Sequence, residues 1–182
     1  MSEMIIDENT DSKQHLREFQ ARLSERLNQA GTGAGPAAAK LGLVIGEDRW
    51  LVDLAEAGEI VPVPSNLSPV PLTKDWFKGL VNLRGTLFAV ADLSRFSGGE
   101  FTAMNKESRL LAFASRLNFN AAILVSRMLG LRNLTAFKVD QSAPVSVLPW
   151  VGRQYLDAEG RPWRELNLAL LAADERFLMV NR

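Results

Sequence analysis

Apolar positions follow one period in the first forty residues and another in the rest of the chain. Leu16, Phe19, Leu23 and Leu27 recur at helical spacing, with Lys13, Arg17, Glu18, Arg22, Glu25 and Arg26 between them. That spacing predicts an amphipathic helix running to about Ala30. Asp11 can cap it, with Gln14 three residues later completing a capping box. Gly31-Thr32-Gly33-Ala34-Gly35-Pro36 stops it and reads as a flexible linker. Residues 1–40 thus form an arm. Its helix either packs on the chain's own domain or offers its apolar face to a partner's groove, and a disordered arm is the third reading.

From Leu41 the period becomes strand-like. Leu41–Ile45 and Arg49–Leu54 flank Gly46-Glu47-Asp48, a hairpin with a glycine in its turn. Glu59–Val63 reads as a third strand, and Pro62 assigns it to an edge or a strand end. The prolines and small polar residues of 64–75 mark a loop. Gly79–Leu83 and Thr86–Ala91 flank Arg84-Gly85, a second hairpin closed by a glycine able to take a positive φ. Further strands are expected at 110–113, 121–125, 128–131 and 145–148. Tyr155-Leu156-Asp157 and Pro162–Leu166 bracket a turn at 158–161. Asn167 can cap a last short helix through Leu168, Leu170 and Leu171. Short strands with turn signals every roughly 8–12 residues point to an all-β barrel or sandwich over residues 41–182. Two similar β units, 41–96 and 108–166, can be drawn along it.

Composition removes several function classes. There is no cysteine, hence no disulfide framework, zinc-thiolate site or thiol nucleophile. Twenty-one basic residues balance 21 acidic ones without a dense Lys/Arg run, a poor basis for gripping phosphates, so no nucleic-acid partner is expected. Nowhere do 18 apolar residues run together, and direct membrane insertion is not expected. The acidic N-terminus does not read as a secretory signal.

Catalytic and cofactor chemistry is equally sparse. His15 is the only histidine, so no His-His or Cys-His metal set can be built. A Ser-His-Asp triad would have to recruit it from the arm. Glycines 31, 33 and 35 imitate a dinucleotide fingerprint but follow a helix, and position 36 is proline. Asp157-Ala158-Glu159-Gly160 is too short for a calcium loop and reads as a turn. No cofactor is expected. Weight shifts to binding, where the four tryptophans, 50, 76, 150 and 163, serve either as core or as interface anchors.

The stretch Gly79-Leu80-Val81-Asn82-Leu83-Arg84-Gly85-Thr86-Leu87-Phe88-Ala89-Val90-Ala91-Asp92-Leu93 resembles the central signature of the CheW-like domain family. That signature is a glycine, a short apolar strand, Asn-Leu-Arg-Gly, a second apolar strand, then Asp-Leu. Leu43–Asp53 is similar to the family's opening hairpin, and Glu59-Ile60 stands where the family has its Glu-Ile strand. The likeness runs well over 41–131 and more loosely over 145–178. The helical arm and overall length resemble the members that serve type IV pilus twitching motility.

The resemblance implies two small five-stranded SH3-like β-barrels around a shared core, with an N-terminal helix and a short C-terminal one. It implies a non-catalytic cytoplasmic adaptor coupling the tip of a methyl-accepting chemoreceptor to a CheA-type histidine kinase, a two-component arrangement. The alternatives are a CheW-like module reused in another complex and a carboxylate-dependent hydrolase. The signature or partner-binding positions it marks are Glu59, Asn82, Leu83, Arg84, Gly85, Asp92 and Val125. Arg84 and Glu59 are expected to form a partly buried pair whose loss costs roughly 3–5 kcal/mol, or else Arg84 points into the receptor groove. Asn82 is expected to hydrogen-bond at the strand end, Gly85 to serve the turn and Asp92 to cap the helical turn after it. Where the family commonly carries an acidic residue after the valine of its second-unit strand, this chain has Ser126-Arg127 after Val125.

Overall fold

A computed structural model describes residues 39–182. The expected helix of residues 11–30 and the linker after it lie outside the described residues.

The first hairpin forms as the alternation predicts. β1 (Ala39–Ile45) and β2 (Asp48–Asp53) pair antiparallel to Ile45↔Asp48, leaving Gly46-Glu47 as the loop, with Gly46 at φ +61°. β3 (Ala57–Pro62) ends at its proline. β4 (Phe77–Leu83) and β5 (Thr86–Ala91) form the second hairpin, closed by Leu83↔Thr86. Next come a short helix α1 (Leu93–Phe96), β6 (Arg109–Phe113), β7 (Ala121–Val125) and β8 (Arg127–Asn133). The chain finishes through β9 (Lys138–Val139), β10 (Val151–Leu156), β11 (Pro162–Leu166), α2 (Leu168–Ala172) and α3 (Glu175–Leu178). Asn167 caps α2 as expected, accepting from the Leu170 N–H.

The strand expected at 145–148 does not form. Pro144 and Pro149 flank it without N–H donors, and Val145 and Val147 are each 95% exposed. The strand begins instead at Val151. β9 and α3 were not foreseen, being two and four residues long.

The fold is mainly β, in two mixed sheets. The larger has the order β8-β1-β2-β11-β10-β9 and the smaller β3-β6-β7-β5-β4. Parallel pairings of β11 with β2 and of β5 with β7 make both mixed. The sheets do not follow the two units drawn along the sequence, because each takes strands from both halves. Ser126 is the crossing point: β7 ends in one sheet, β8 begins in the other, and the Ser126 N–H donates to the Val44 carbonyl of β1.

Period-two alternation explains the core. On β6, Leu111 and Phe113 join the main cluster between the sheets, while Leu110 and Ala112 face the interior of the smaller sheet. β7 divides likewise: Ala121, Ile123 and Val125 against Ala122 and Leu124. Both strands are buried on two faces and so read as continuous apolar runs. Leu51, Tyr155 and Trp163 form a third cluster. All four tryptophans are buried. Trp76 stacks on Phe177 at 5.5 Å, and the Trp150 indole N–H donates to Asp174 at 3.1 Å, which ties α3 to the body.

The smaller sheet curls until its terminal strands meet. β3 and β4 stand at opposite ends of its order. The chain leaving β3 nevertheless reaches Ser68, which exchanges two backbone hydrogen bonds with Leu80 of β4, at 2.9 and 2.8 Å. Val61 of β3 and Val81 of β4 share one apolar cluster.

Candidate functional site

The β4–β5 hairpin makes its tip from two residues, and both are left-handed: Arg84 at φ +51° and Gly85 at φ +87°. Two positive φ values in a two-residue loop are what a type I′ turn requires, and that turn matches the twist of the strands it joins. Glycine takes this conformation freely. Open space surrounds a Cβ built at Gly85, so backbone geometry alone asks for glycine there. Arginine in the same region costs about 1–2 kcal/mol. Asn82 offsets part of that cost: its Oδ1 accepts from the Gly85 N–H at 2.8 Å. Its expected strand-end role is therefore present.

Arg84 reaches across the meeting edges of the sheet. One guanidinium nitrogen lies 2.9 Å from Glu59 Oε1 of β3, with side-chain exposures of 82% and 34%. The pair exists, but the expectation that it is partly buried is corrected. The turn projects Arg84 beyond the body, so water screens the contact. An exposed pair of this kind contributes about 0–1 kcal/mol, not 3–5. Leu83, one residue before, turns inward against the Val81 cluster. Leu87, the cross-strand partner of Asn82, stays 55% exposed and supplies an apolar neighbour to the polar tip.

Asp92 and Val125 lie elsewhere. Asp92 sits at the far end of β5 and is fully buried. It caps α1 by accepting from the Arg95 N–H at 3.3 Å, and also accepts from the Thr102 N–H and hydroxyl, each at 2.8 Å. Beyond its cap it anchors the loop that leaves α1. Arg95 pairs with Asp75 at 2.6 Å, and that hydrogen bond holds the Asp75 carboxyl below its ordinary value, against the opposing effect of desolvation. Val125 is wholly buried in the main core and presents no side chain to a partner. The structure thus gathers Glu59, Asn82, Arg84 and Gly85 at one tip, with Leu83 beneath it.

Two residues that sequence reasoning passed over help to hold the body that carries this tip. Gly79 has φ +123°, and a Cβ there would come within 2.2 Å of the Ser68 carbonyl oxygen, so only glycine allows the closing bridge. Its place at the head of the signature was the available signal. Glu56, buried between β2 and β3, accepts from the Leu168 N–H at 2.7 Å and fastens α2 to the body. No local pattern marks it.

Among the described residues no group of three His, Cys, Asp or Glu is placed to hold a metal ion, and no helix is long and apolar enough to cross a membrane.

Comparison with known proteins gives a consistent result. The family model of the CheW-like domain matches residues 41–176. Protein PilI of Pseudomonas aeruginosa is 24% identical over 173 residues, covering 93% of this chain and 92% of that protein. Chemotaxis protein CheW of Thermotoga maritima is 29% identical over 82 residues, 45% of this chain and 53% of that one. The crystal structure of scaffolding protein TtCheW from Thermoanaerobacter tengcongensis superposes with a TM-score of 0.57 at 17% identity, over 72% of this chain and 89% of that one.

Proposed function

Because the chain belongs to the CheW-like domain family, a non-catalytic scaffolding family, we propose that it is a cytoplasmic adaptor joining the tip of a methyl-accepting chemoreceptor to a CheA-type histidine kinase. The system it serves is the one controlling type IV pilus twitching motility, a reading supported by the likeness to PilI along nearly the whole chain. In this reading the two sheets are the family's paired barrels, with β8 and β9 counted as one bent strand.

The observation that carries the proposal is the Arg84 turn. An arginine is held in a left-handed conformation, its head group is 82% exposed, and its one ion pair among the described residues is worth little. Stability is poorly served by that arrangement. Recognition is well served, because the guanidinium offers a planar fork of donors on a rigid two-residue tip. Exposed apolar side chains give a partner further purchase: Leu87 beside the tip, Leu131 on the terminal strand β8, and Val145 with Val147 on the loop before β10. Signal would pass as a coupling free energy between bound partners.

A pull-down with a CheA-type kinase and a receptor cytoplasmic fragment tests this. Wild type is expected to retain both, and Arg84→Ala to lose one or both while keeping its melting temperature. Removal of residues 1–40 reports separately on the arm. A folded wild-type protein that retains neither partner would sink the proposal.

A further inference from the structure

Among the described residues, three positions other than glycine have a left-handed backbone: Leu72 at φ +60°, Arg84 at φ +51° and Asn118 at φ +48°. Asn118 is ordinary, because asparagine adopts this region readily and here ends a short helical turn. Leu72 is not. It is the second central residue of the turn Val70-Pro71-Leu72-Thr73, directly after a proline. That is the type II pattern, which asks for glycine or asparagine at Leu72's place. Leucine there is strained as Arg84 is, and at 81% exposure it buries almost nothing in return. Val70 and Pro71 are exposed as well, so the tip is apolar throughout.

The turn is braced on the body. The Thr73 hydroxyl donates to the Val70 carbonyl and the Lys74 N–H to the Val180 carbonyl, each at 2.8 Å, and the Arg182 N–H donates to the Leu72 carbonyl at 3.1 Å. Val180 itself packs against the main core cluster. Arg182 also donates its Nε–H to the Thr73 carbonyl at 2.9 Å, which sets an exposed guanidinium beside Leu72. Among the described residues neither Arg182 nor Lys74 has a carboxylate partner, and Asp75 is taken by Arg95.

Leu72 and Arg84 stand at opposite ends of β4. Ser68 bridges Leu80 antiparallel, and from there the chain runs to Leu72 at the Phe77 end, while Arg84 follows Leu83 at the other. The rise of an extended chain puts the two tips roughly 20 Å apart. A protein that couples two partners needs two docking points that do not collide.

We propose that the Leu72 turn is a second docking point. It seats Leu72 in an apolar pocket with a carboxylate on its lip, which meets Arg182, and that pocket belongs to the partner that the Arg84 tip does not hold. The inference rests on the adaptor reading.

The full chain and its variants are titrated calorimetrically with a CheA-type kinase and, separately, with a receptor cytoplasmic fragment. Leu72→Asn keeps the turn, since asparagine accepts its φ, and is expected to melt no lower than wild type. It is expected to weaken one partner about tenfold or more, the worth of burying a leucine side chain, and to bind the other unchanged. Arg182→Glu is expected to weaken that same partner, and Arg84→Ala the other. Wild-type binding of both partners by Leu72→Asn overturns the proposal. So does a melting temperature several degrees lower, which makes the leucine structural. Weakening of the same partner by Leu72→Asn and Arg84→Ala leaves a single docking point and overturns the second. Undiminished binding by Arg182→Glu overturns the acidic lip. A folded wild type that binds neither partner sinks the adaptor reading and this inference with it, whereas a wild type that binds both, matched by Leu72→Asn, sinks this inference alone.

Discussion

Arg84 and Glu59 meet at 2.9 Å across the two ends of the smaller sheet, although β6, β7 and β5 stand between β3 and β4 in pairing order and the arginine is 82% exposed. The contact therefore marks where the sheet closes without being what closes it. Closure rests on the Ser68–Leu80 backbone bonds and on the apolar cluster inside. Arg84→Ala is expected to change stability by less than about 1 kcal/mol, measured by urea unfolding. Arg84→Gly relieves the left-handed strain and is expected to be neutral or to stabilise by up to about 1 kcal/mol. A loss above about 3 kcal/mol in Arg84→Ala would show that the pair is structural after all.

Gly79→Ala attacks the closure directly. It places a Cβ on the Ser68 carbonyl at a φ that alanine rarely adopts. Strain and displacement together are expected to cost about 2–5 kcal/mol. Gly85→Ala, at another positive φ but in open space, should cost less. Equal losses in the two variants would remove the steric part of this account.

Asp92→Ala strips three hydrogen bonds from a fully buried position, and a cost of about 3 kcal/mol or more is expected. Thr102→Val removes only the hydroxyl partner and should cost about 1–2 kcal/mol. Hydrogen exchange at the Thr102 amide should quicken in Asp92→Ala. Unchanged protection there would contradict the anchoring role.

Ion pairs at Lys40 and at Asp174 contribute at opposite ends of the pH profile. Burial works to lower the pKa of Lys40, but Glu165 at 2.9 Å and Asp53 at 3.3 Å outweigh it and hold the ammonium above its ordinary 10.5. A raised pKa means the folded state binds the proton more tightly. That stability is whole below about pH 10.5 and is lost as pH rises through the folded value. Lys40→Met should flatten the alkaline limb of a melting-temperature profile; it should also weaken the acid limb, because Lys40 helps the Ala55 N–H to hold the Asp53 carboxyl below its ordinary value.

The Arg176 hydrogen bond, opposed by burial, holds the Asp174 carboxyl below its ordinary 3.8, with the Trp150 indole adding to the same direction. A lowered pKa reverses the sign. The contribution is present above about pH 3.8 and disappears as pH falls through the folded value. Asp174→Asn should therefore flatten the acid limb. An acid limb identical to wild type would show that other carboxylates govern it.

Much of the β framework could be read along the chain because its causes are local. The I′ tip at Arg84-Gly85, the Gly46 turn, the Pro62 strand end and the Asn167 cap each depend on residues within a few positions of one another. The 145–148 run misled because four apolar-leaning residues between two prolines satisfy a strand pattern without a strand to pair with. Glu56 on Leu168 was invisible, since its partner stands 112 positions away; Gly79 stood at the head of the signature, but nothing near it named Ser68, 11 positions away, as the atom it must clear.

Strand positions, turn chemistry and family membership were thus carried by neighbouring residues, whose backbone preferences and side-chain periods act over one or two turns of chain. Which strands share a sheet, that Arg84 faces water, that Val125 is sealed in the core and that the Trp50 indole N–H finds no acceptor among the described residues came from the packed molecule. Burial and pairing are set by what arrives from distant parts of the chain, and a one-dimensional pattern holds no record of those distances.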